Sequence, residues 1–379
     1  MTKKEREELE RLEKLNNGQD RKLNLLFEQI NKNLAELEFE RNGDGYVQLS
    51  KQPTRVKAMV DAFLKKLHDR MLEDIEDGIG YAFELSLNKQ KETCTVYGME
   101  FSLVQARLEE GLAAHRLRRE QRDVGLNLSD RVWNVCEQTK AEFEAAMNVE
   151  IHEAVEKGVD AETLGRRVRH LLRHPDEVWK RFHVLVTTPE GEHVPMVEWR
   201  KRIIDEEGNV RWVKRERPNF GRGVYLSSRK NALRLARTET NMAYRYADCM
   251  AAMAEPMCIG IRISLSNNHT CLNAKGEPME FHDMCDTLTG DYPKWFMWAG
   301  WHPNCRCHMT FIMADREERR IIRRLSEEEY RNYVSPNAVK DYPQQFEEWL
   351  EENEERILRA KNMPYFVTDN DDILVRIKS

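Results

Sequence analysis

Long hydrophobic runs are absent from this sequence of 379 residues. No stretch approaches the roughly 20 consecutive apolar residues that a membrane-spanning helix requires. The first residues, MTKKEREELERLEKL, contain no apolar core of the kind that signal peptides have. We therefore expect no membrane partner, and we expect the protein to stay in the compartment where it is synthesised.

Several enzyme motifs are absent as well. The chain has no Gly-rich phosphate loop of the Walker type, no Gly-x-Ser-x-Gly and no pair of carboxylates that stands out among its 66 acidic residues. It also has no internal repeat and no low-complexity tract. These absences disfavour phosphoryl transfer and serine-nucleophile chemistry, and we predict that the chain is not an enzyme.

The composition is polar but sufficient for a core. Hydrophobic residues make up 40% of the chain and charged residues 33%, a balance that indicates large helical faces exposed to water or to a partner protein. The formal net charge is −6, so the chain as a whole gives no electrostatic argument for nucleic acid. The length favours two or three domains.

Apolar spacing predicts an α+β fold that is predominantly α-helical. Helical stripes such as Val56, Val60, Leu64 and Leu67 recur through most of the chain, whereas short β-leaning runs begin near residue 183. The runs at 258–265 and 309–313 predict two further strands. We divide the chain into an N-terminal helical arm (1–50), a helical domain (51–182), a basic β-hairpin insertion (183–226), a core with a small β/Cys-rich knuckle (227–315) and a C-terminal helical tail (316–379).

Local signals predict where helices begin, end and loosen. Asn-Asn-Gly at 16–18 predicts a break in the arm, which either packs on a partner or frays as a terminus. Gly78 and Gly80 predict a looser stretch of the following helix. Matched capping and breaking residues over 129–172 predict a helical hairpin. The last segment, PYFVTDNDDILVRIKS, favours a terminal strand.

A basic segment lies between Trp199 and Lys230. It holds ten Lys or Arg residues and four acidic residues, with Trp199, Trp212 and Phe220 interleaved, and this combination favours contact with the phosphate backbone of nucleic acid. The alternative is a solvated hairpin whose basic side chains extend into water. The cations that would contact DNA are Arg200, Lys201, Arg202, Arg211, Lys214, Arg215, Arg217 and Arg222.

The predicted helix over residues 227–253 has one face of alanines, which allows another backbone to approach closely. Glu239 lies on or beside this face, and an unpaired buried charge is unfavourable. We therefore predict that Glu239 forms an ion pair with Arg237 or Arg262. Such a pair would brace the helix against the strand that follows it.

Four of the eight cysteines fall within 37 residues. We interpret the four scattered cysteines as ordinary small core residues. In a chain without an export signal, the cluster favours a metal site over disulfides. The clustered cysteines are Cys271, Cys285, Cys305 and Cys307, and the neighbouring histidines are His269, His282, His302 and His308.

A structural zinc ion requires four Cys or His ligands in a tetrahedron. His302 and Cys305 lie one turn apart on a bend that Pro303 stiffens, and Cys305 and Cys307 point to the same side if the backbone is extended. The sequence therefore predicts a zinc site, with more than one possible ligand set. One set is Cys271, Cys285, His302 and Cys305, with Cys307 in place of one of them and His269 and His282 as alternates.

The spacing leaves a metal-free knuckle open as the alternative. Cys271 and Cys285 are fourteen residues apart, whereas the first two ligands of a standard zinc finger are close neighbours. The cysteines would then line a knuckle that is packed by its aromatic residues. These are Trp295, Phe296, Trp298 and Trp301.

The motifs of this segment resemble those of a known family. A Thr-Cys step at 270–271, the run CDTLTG from Cys285 and the terminal HPNCRC at 302–307 look like the signature of phage head-morphogenesis proteins. These are minor head proteins related to the F protein of phage Mu. The run LARTETNMAYRYA is similar to the family's preceding helix. The resemblance covers roughly residues 125–313, and it departs from the family's close Cys-x-x-Cys pair through the Leu272–Met284 insertion.

This resemblance implies a structural protein present in few copies at the portal vertex inside the phage head. Its partners would be portal and capsid or scaffold proteins, with non-specific contact to packaged DNA through the basic segment. It would act in head assembly and in DNA packaging or ejection. It would be found in the bacterial host cytoplasm during assembly and then inside the virion.

Two other functions remain as alternatives. His302, Asn304 and the basic segment are compatible with a degenerate His-Asn-His site of a zinc-dependent nuclease or hydrolase, with Glu239 as general base. A ligand set rich in cysteine is, however, typical of structural zinc. The chain would otherwise be the N-terminal module of a phage-derived toxin, although residues 316–379 carry no further catalytic motif.

Overall fold

The computed structural model describes residues 3–43, 47–120, 127–157, 179–187, 193–204, 210–214, 228–266, 270–272, 278–280, 283–360 and 363–378. The fold is α+β and predominantly helical, as predicted. The helices are α1 (Lys3–Ala35), α2 (Thr54–Tyr97), α3 (Phe101–Glu120), α4 (Leu128–Lys157), α5 (Ser228–Ala254), α6 (Met284–Thr287), α7 (Arg316–Ile322), α8 (Glu327–Arg331), α9 (Gln344–Leu358), α10 (Tyr365–Thr368) and α11 (Asp371–Lys378), and a 3-10 turn spans Leu49–Lys51. The strands are β1 (Trp179–Thr187), β2 (His193–Ile204), β3 (Val210–Lys214), β4 (Cys258–Ser264), β5 (Thr270–Leu272), β6 (Pro278–Glu280), β7 (Gly290–Tyr292) and β8 (His308–Met313).

Four helices pack around α5, at the centre of the larger hydrophobic core. α1, α2, α3 and α4 all contact it. The alanines of the predicted small-residue face, Ala236, Ala243, Ala247 and Ala251, are buried, and their short side chains let the neighbouring helices approach closely. In the part of the chain that the structure describes, no helix has the length and apolar character needed to cross a bilayer.

α1 is one continuous helix, so the predicted break at residues 16–18 is wrong. Asn16 is buried and its Nδ2 donates to Oδ1 of Asn241 at 2.9 Å, and Gln19 Nε2 donates to the carbonyl oxygen of Asp74 at 2.8 Å. These tertiary hydrogen bonds and a buried apolar face stabilise the helix more than the Asn-Asn-Gly step disfavours it. The arm packs on α2 and α5 of its own chain, so α1 is not a frayed terminus.

α2 also runs without interruption through Gly78 and Gly80, and the predicted loosening is not observed. Gly78 lies where three helices meet, because a Cβ there would be 2.0 Å from Gln19 Nε2 and 2.8 Å from Thr240 Oγ1. Gly80 faces open space, with no atom within 4 Å of such a Cβ. The first glycine permits close packing, and the second only weakens helix propensity.

Antiparallel pairing organises the described strands. β2 lies between β1 and β3, so the predicted basic hairpin is a three-stranded sheet that begins at Trp179. In a second sheet β4 lies between β7 and β8, and Ile261 pairs with Tyr292 and with Phe311. The predicted strands at 258–265 and 309–313 are confirmed. Of the predicted hairpin over 129–172, the first helix is α4, and the second lies outside the described residues.

The C-terminal segment forms helices α10 and α11, so the predicted terminal strand is wrong. Ile373 and Ile377 are four residues apart and both are buried, which is the spacing of one helical face. Phe366 is buried against Trp301 and Phe346. The tail therefore folds as helices because its apolar residues complete the aromatic core around the knuckle.

Candidate metal centre

The connection between β4 and β8 brings its ligand candidates together through two short structures. α6 carries Cys285, and the Asp283 side chain caps this helix by accepting from the backbone nitrogen of Cys285 at 2.7 Å. The His302–Cys305 turn is closed by a hydrogen bond from the Cys305 nitrogen to the His302 carbonyl oxygen at 3.1 Å. Asn304 adopts a φ of 62° in this turn, a conformation that asparagine tolerates. The side chain of Cys285 on α6 therefore faces the side chains of His302 and Cys305 on the turn.

Three of the predicted ligands converge. Cys285 Sγ lies 3.1 Å from His302 Nε2 and 3.9 Å from Cys305 Sγ, and all three ligand atoms lie within 4.8 Å of one another. With zinc–sulfur bonds of about 2.3 Å, two sulfurs of a tetrahedron are about 3.8 Å apart. The observed sulfur separation matches this value, so the group has the geometry to hold a metal ion.

The imidazole of His302 presents the nitrogen that a metal requires. Nδ1 lies 2.8 Å from the Pro303 carbonyl oxygen, an acceptor that would hold the proton on Nδ1 and leave the Nε2 lone pair for a metal ion. Nε2 faces Cys285 Sγ and also lies 3.0 Å from Oδ2 of Asp283. A cation placed between the imidazole nitrogen, the carboxylate and the sulfur would be stabilised by all three groups.

The thiols of Cys285, Cys305 and Cys307 interact through hydrogen bonds. Hydrogen bonds from Cys285 and Cys307 hold the pKa of Cys305 well below its ordinary value of 9.0, and the hydrogen bond to Cys305 raises the pKa of Cys285. Cys307 thus interacts with both other thiols, although its sulfur lies outside the group of three that is within 4.8 Å. A thiolate is the form of cysteine that binds metal.

Arg245 of α5 fastens this loop to the helical core. Its Nη2 donates to the carbonyl oxygens of Cys305 and Cys307 at 2.6 and 2.8 Å. One turn earlier on α5, Asn241 Nδ2 approaches the same Cys305 carbonyl at 3.5 Å, and Thr238 Oγ1 accepts from the backbone nitrogen of Asn304 at 2.9 Å. Sequence reasoning missed Arg245 and Asp283, because neither stands out by spacing.

Aromatic packing closes the other side of the knuckle. Phe296, Trp298 and Trp301 are buried, as expected for a packed knuckle. Trp295 is 44% exposed and contacts Tyr342 with its edge, so it does not belong to this core. The cysteines Cys285, Cys305 and Cys307 are buried in the same hydrophobic cluster as the aromatic residues.

The other predicted ligands are not placed in the cluster. The backbone of Cys271 lies in β5 and pairs with Met279 of β6, and its side chain is outside the description. His269 and His282 lie outside the described residues. His308 is buried at the start of β8. The described ligand group is therefore Cys285, His302 and Cys305, with Cys307 beside it.

The predicted ion pair of Glu239 is wrong in its partner. Glu239 is fully buried and pairs with Arg131 of α4 at 2.5 Å. Arg237 pairs instead with Asp20 of α1, and Arg262 pairs with Asp291 of β7. Residues two apart on a helix point to different sides, so Arg237 cannot share the buried face of Glu239, and Arg262 is an exposed residue of β4.

An acidic residue immediately before the basic segment neutralises part of its charge. Glu198 of β2 forms ion pairs with Arg200 and with Lys214, the latter at 3.2 Å, and the hydrogen bond from Arg200 lowers the pKa of Glu198. Arg211 is exposed on β3. Among the other cations, the backbones of Lys201 and Arg202 lie in β2, and Arg215, Arg217 and Arg222 lie outside the described residues.

Comparison of this chain with known proteins was negative at every level. No protein-family model, no curated protein and no solved structure matches it.

Proposed function

We propose that this chain is a structural minor head protein of a bacteriophage and not an enzyme. It would act at the portal vertex in head assembly and in DNA packaging or ejection. The observation that carries the proposal is the burial of a cysteine-rich cluster against α5, where Arg245 holds the carbonyls of Cys305 and Cys307. A centre enclosed in this way stiffens a docking module.

The location of the family-like motifs supports the same proposal. The HPNCRC run forms the turn that carries His302, Cys305 and Cys307, and the LARTETNMAYRYA run is the part of α5 on which that turn docks. The two segments that resemble phage minor head proteins are thus in contact with each other.

We propose zinc as the ion of this centre. Thiolate and imidazole ligands favour zinc over magnesium or calcium, which prefer oxygen. His302 would coordinate through Nε2, with the Cys285 and Cys305 thiolates beside it. The ion would hold α6 and the His302–Cys305 turn together.

The proposed partners are the portal protein and the capsid or scaffold proteins, with non-specific contact to packaged DNA. The chain would be found in the host cytoplasm during assembly and then inside the head. To test this, the chain is expressed with the genes that flank it, and heads are purified and counted for copies by quantitative mass spectrometry. We expect a few copies per head in fractions that contain the portal, and absence from purified heads would overturn the proposal.

The nuclease alternative has a separate test. Glu239 is paired with Arg131 in the interior, which argues against its use as a general base. Purified protein is incubated with plasmid DNA and Zn²⁺, Mg²⁺ or Mn²⁺. Cleavage that is lost in His302→Ala and kept in Arg262→Gln would replace the structural proposal with an enzymatic one. A toxin module would instead require a longer chain with an additional catalytic domain.

A further inference from the structure

Arg245 is a buried cation whose partners are all neutral. It is 5% exposed, and its guanidinium donates to the carbonyl oxygens of Ala299, Cys305 and Cys307. Its Cζ lies 4.8 Å from the ring centre of Trp298. No ion pair joins it to a carboxylate in the described part of the chain, and Asp248, one turn further along α5, is paired with Lys89 at 2.6 Å.

Carbonyl oxygens satisfy the hydrogen bonds of a guanidinium but do not balance its charge. A buried charge without an opposite charge nearby is strongly unfavourable. The groups beside Arg245 that can become negative are the thiols of Cys305 and Cys307, the two residues whose carbonyl oxygens its Nη2 holds. The negative charge that balances the Arg245 guanidinium is therefore expected on the cysteine cluster.

We propose that Cys307 is the fourth ligand of the zinc centre and that Arg245 is the counter-ion of the centre. Zn²⁺ with three thiolates and one neutral imidazole carries one net negative charge, which matches Arg245. A histidine or a water molecule as fourth ligand would leave the centre neutral and Arg245 uncompensated. This inference rests on the zinc site of the proposed function and names its complete ligand set.

Asp283 and Cys271 are the competing fourth ligands. Asp283 already caps α6 through the Cys285 nitrogen, and a carboxylate is a harder ligand than the thiolate of Cys307. Cys271 lies on the β5–β6 ribbon, and its carbonyl is not among those that Arg245 holds. Cys307 is 3% exposed, and its carbonyl oxygen accepts a hydrogen bond from Arg245. A Cys307 thiolate would therefore lie beside the Arg245 charge, which favours Cys307 as the fourth ligand.

The ligand set is tested with the full chain loaded with Co²⁺ in place of zinc. Thiolate-to-cobalt charge-transfer absorption increases with the number of coordinated sulfurs. We expect Cys307→Ser to lose about one third of this absorption, as one of three thiolates, and Cys271→Ser to retain all of it. Full absorption in Cys307→Ser, or a loss in Cys271→Ser, would overturn the inference.

The counter-ion role is tested by combining charge changes. Arg245→Met should weaken Co²⁺ binding by about tenfold or more, as expected for a group that supports the ligands, and should weaken it little when Cys307→His has made the centre neutral. Equal weakening in both backgrounds would assign Arg245 a purely structural role. Because Arg245→Met removes three hydrogen bonds, Arg245→Lys is measured beside it, and a loss as large as that of Arg245→Met would also contradict the charge argument.

The outcomes separate this inference from the function on which it rests. A chain that is absent from phage heads but binds Co²⁺ through Cys307 would overturn the proposed function and keep the ligand set. A chain that is present in heads but uses another fourth ligand would overturn the inference alone.

Discussion

Glu239 of α5 and Arg131 of α4 form an ion pair in the interior, with Oε1 and Nη1 2.5 Å apart. Arg131 also interacts with Tyr365 of α10. The pair therefore joins the helical core to the C-terminal tail that packs on the knuckle. Removal of one partner leaves the other charge without compensation, and this makes the pair more sensitive to substitution than an exposed one.

Glu239→Gln should lower the free energy of unfolding by about 3 kcal/mol, because Arg131 then loses its counter charge. The control is Arg262→Gln, which breaks the exposed pair with Asp291 and should change stability by at most about 1 kcal/mol. Urea unfolding of the three proteins measures both values. Similar losses in the two variants would show that Glu239 does not depend on its partner.

The two glycines of α2 should respond to alanine with opposite signs. Gly78→Ala should destabilise by about 1–3 kcal/mol, because the new Cβ displaces the Gln19 carboxamide from its bonds to Asp74 and Thr240. Gly80→Ala should stabilise by roughly 0.5–1 kcal/mol, since its Cβ enters open space in a helix interior. Thermal unfolding of both variants checks the signs, and a shared sign would contradict the packing argument.

Removal of the proposed zinc ion should destabilise the knuckle. Structural zinc contributes on the order of 10 kcal/mol to the folding of small sites, so a chelator should lower the melting temperature of the wild type and change the fluorescence of buried Trp298 and Trp301. Cys285→Ser should melt at a low temperature with or without chelator. Cys136→Ser, which replaces a buried cysteine of α4, should keep the response to chelator. Loss of that response in this variant would mean that the chelator acts at a site other than the knuckle.

Because of Glu255, the free energy of unfolding should decrease as the pH rises. Burial raises the pKa of its carboxyl above the ordinary value of 4.5, although Met257 and Tyr330 donate hydrogen bonds to it at 2.9 and 2.8 Å. The native state therefore binds this proton more tightly than the unfolded chain. The stability that this tighter proton binding contributes is fully present below pH 4.5, and it is lost as the pH rises through the raised native pKa of Glu255.

Glu255→Gln does not ionise, so its stability relative to the wild type should improve as the pH rises from 4.5 through that range. Urea unfolding of both proteins at several pH values gives the difference. A relative stability that falls with pH would mean that the native pKa is lowered instead of raised.

Glu198 should limit DNA binding by the sheet of β1, β2 and β3, which carries the described part of the basic segment. Glu198→Gln releases Arg200 and Lys214 from their ion pairs, so affinity for double-stranded DNA and its dependence on salt should both increase. Lys214→Gln should reduce the salt slope by about one. The control is Glu317→Gln, which removes the same charge from an exposed pair with Arg320. Affinity that is independent of salt, or equal in the two Glu variants, would remove DNA from the partners of this sheet.

The sequence predicted elements wherever local periodicity and packing agree. The alternating run of β4 and the small-residue face of α5 follow from spacing alone. Spacing also made Cys285, His302 and Cys305 candidate ligands, but it left Cys271, Cys307 and a metal-free knuckle open. The errors occur where local and tertiary preferences conflict. Asn-Asn-Gly at 16–18 remains helical because Asn241 and Asp74 bond to that turn, and the terminal segment is helical because Ile373 and Ile377 face the aromatic core.

By itself the sequence determined that the chain is largely helical and that a cysteine-rich loop lies between two strands, because these features depend on the order of residues. Only the tertiary structure decided which charges meet. Arg131, not Arg237 or Arg262, reaches Glu239, and Arg245 reaches the cysteine turn across sixty residues. Ion pairs and metal sites join groups that are distant in the chain, and their partners are fixed by how helices pack.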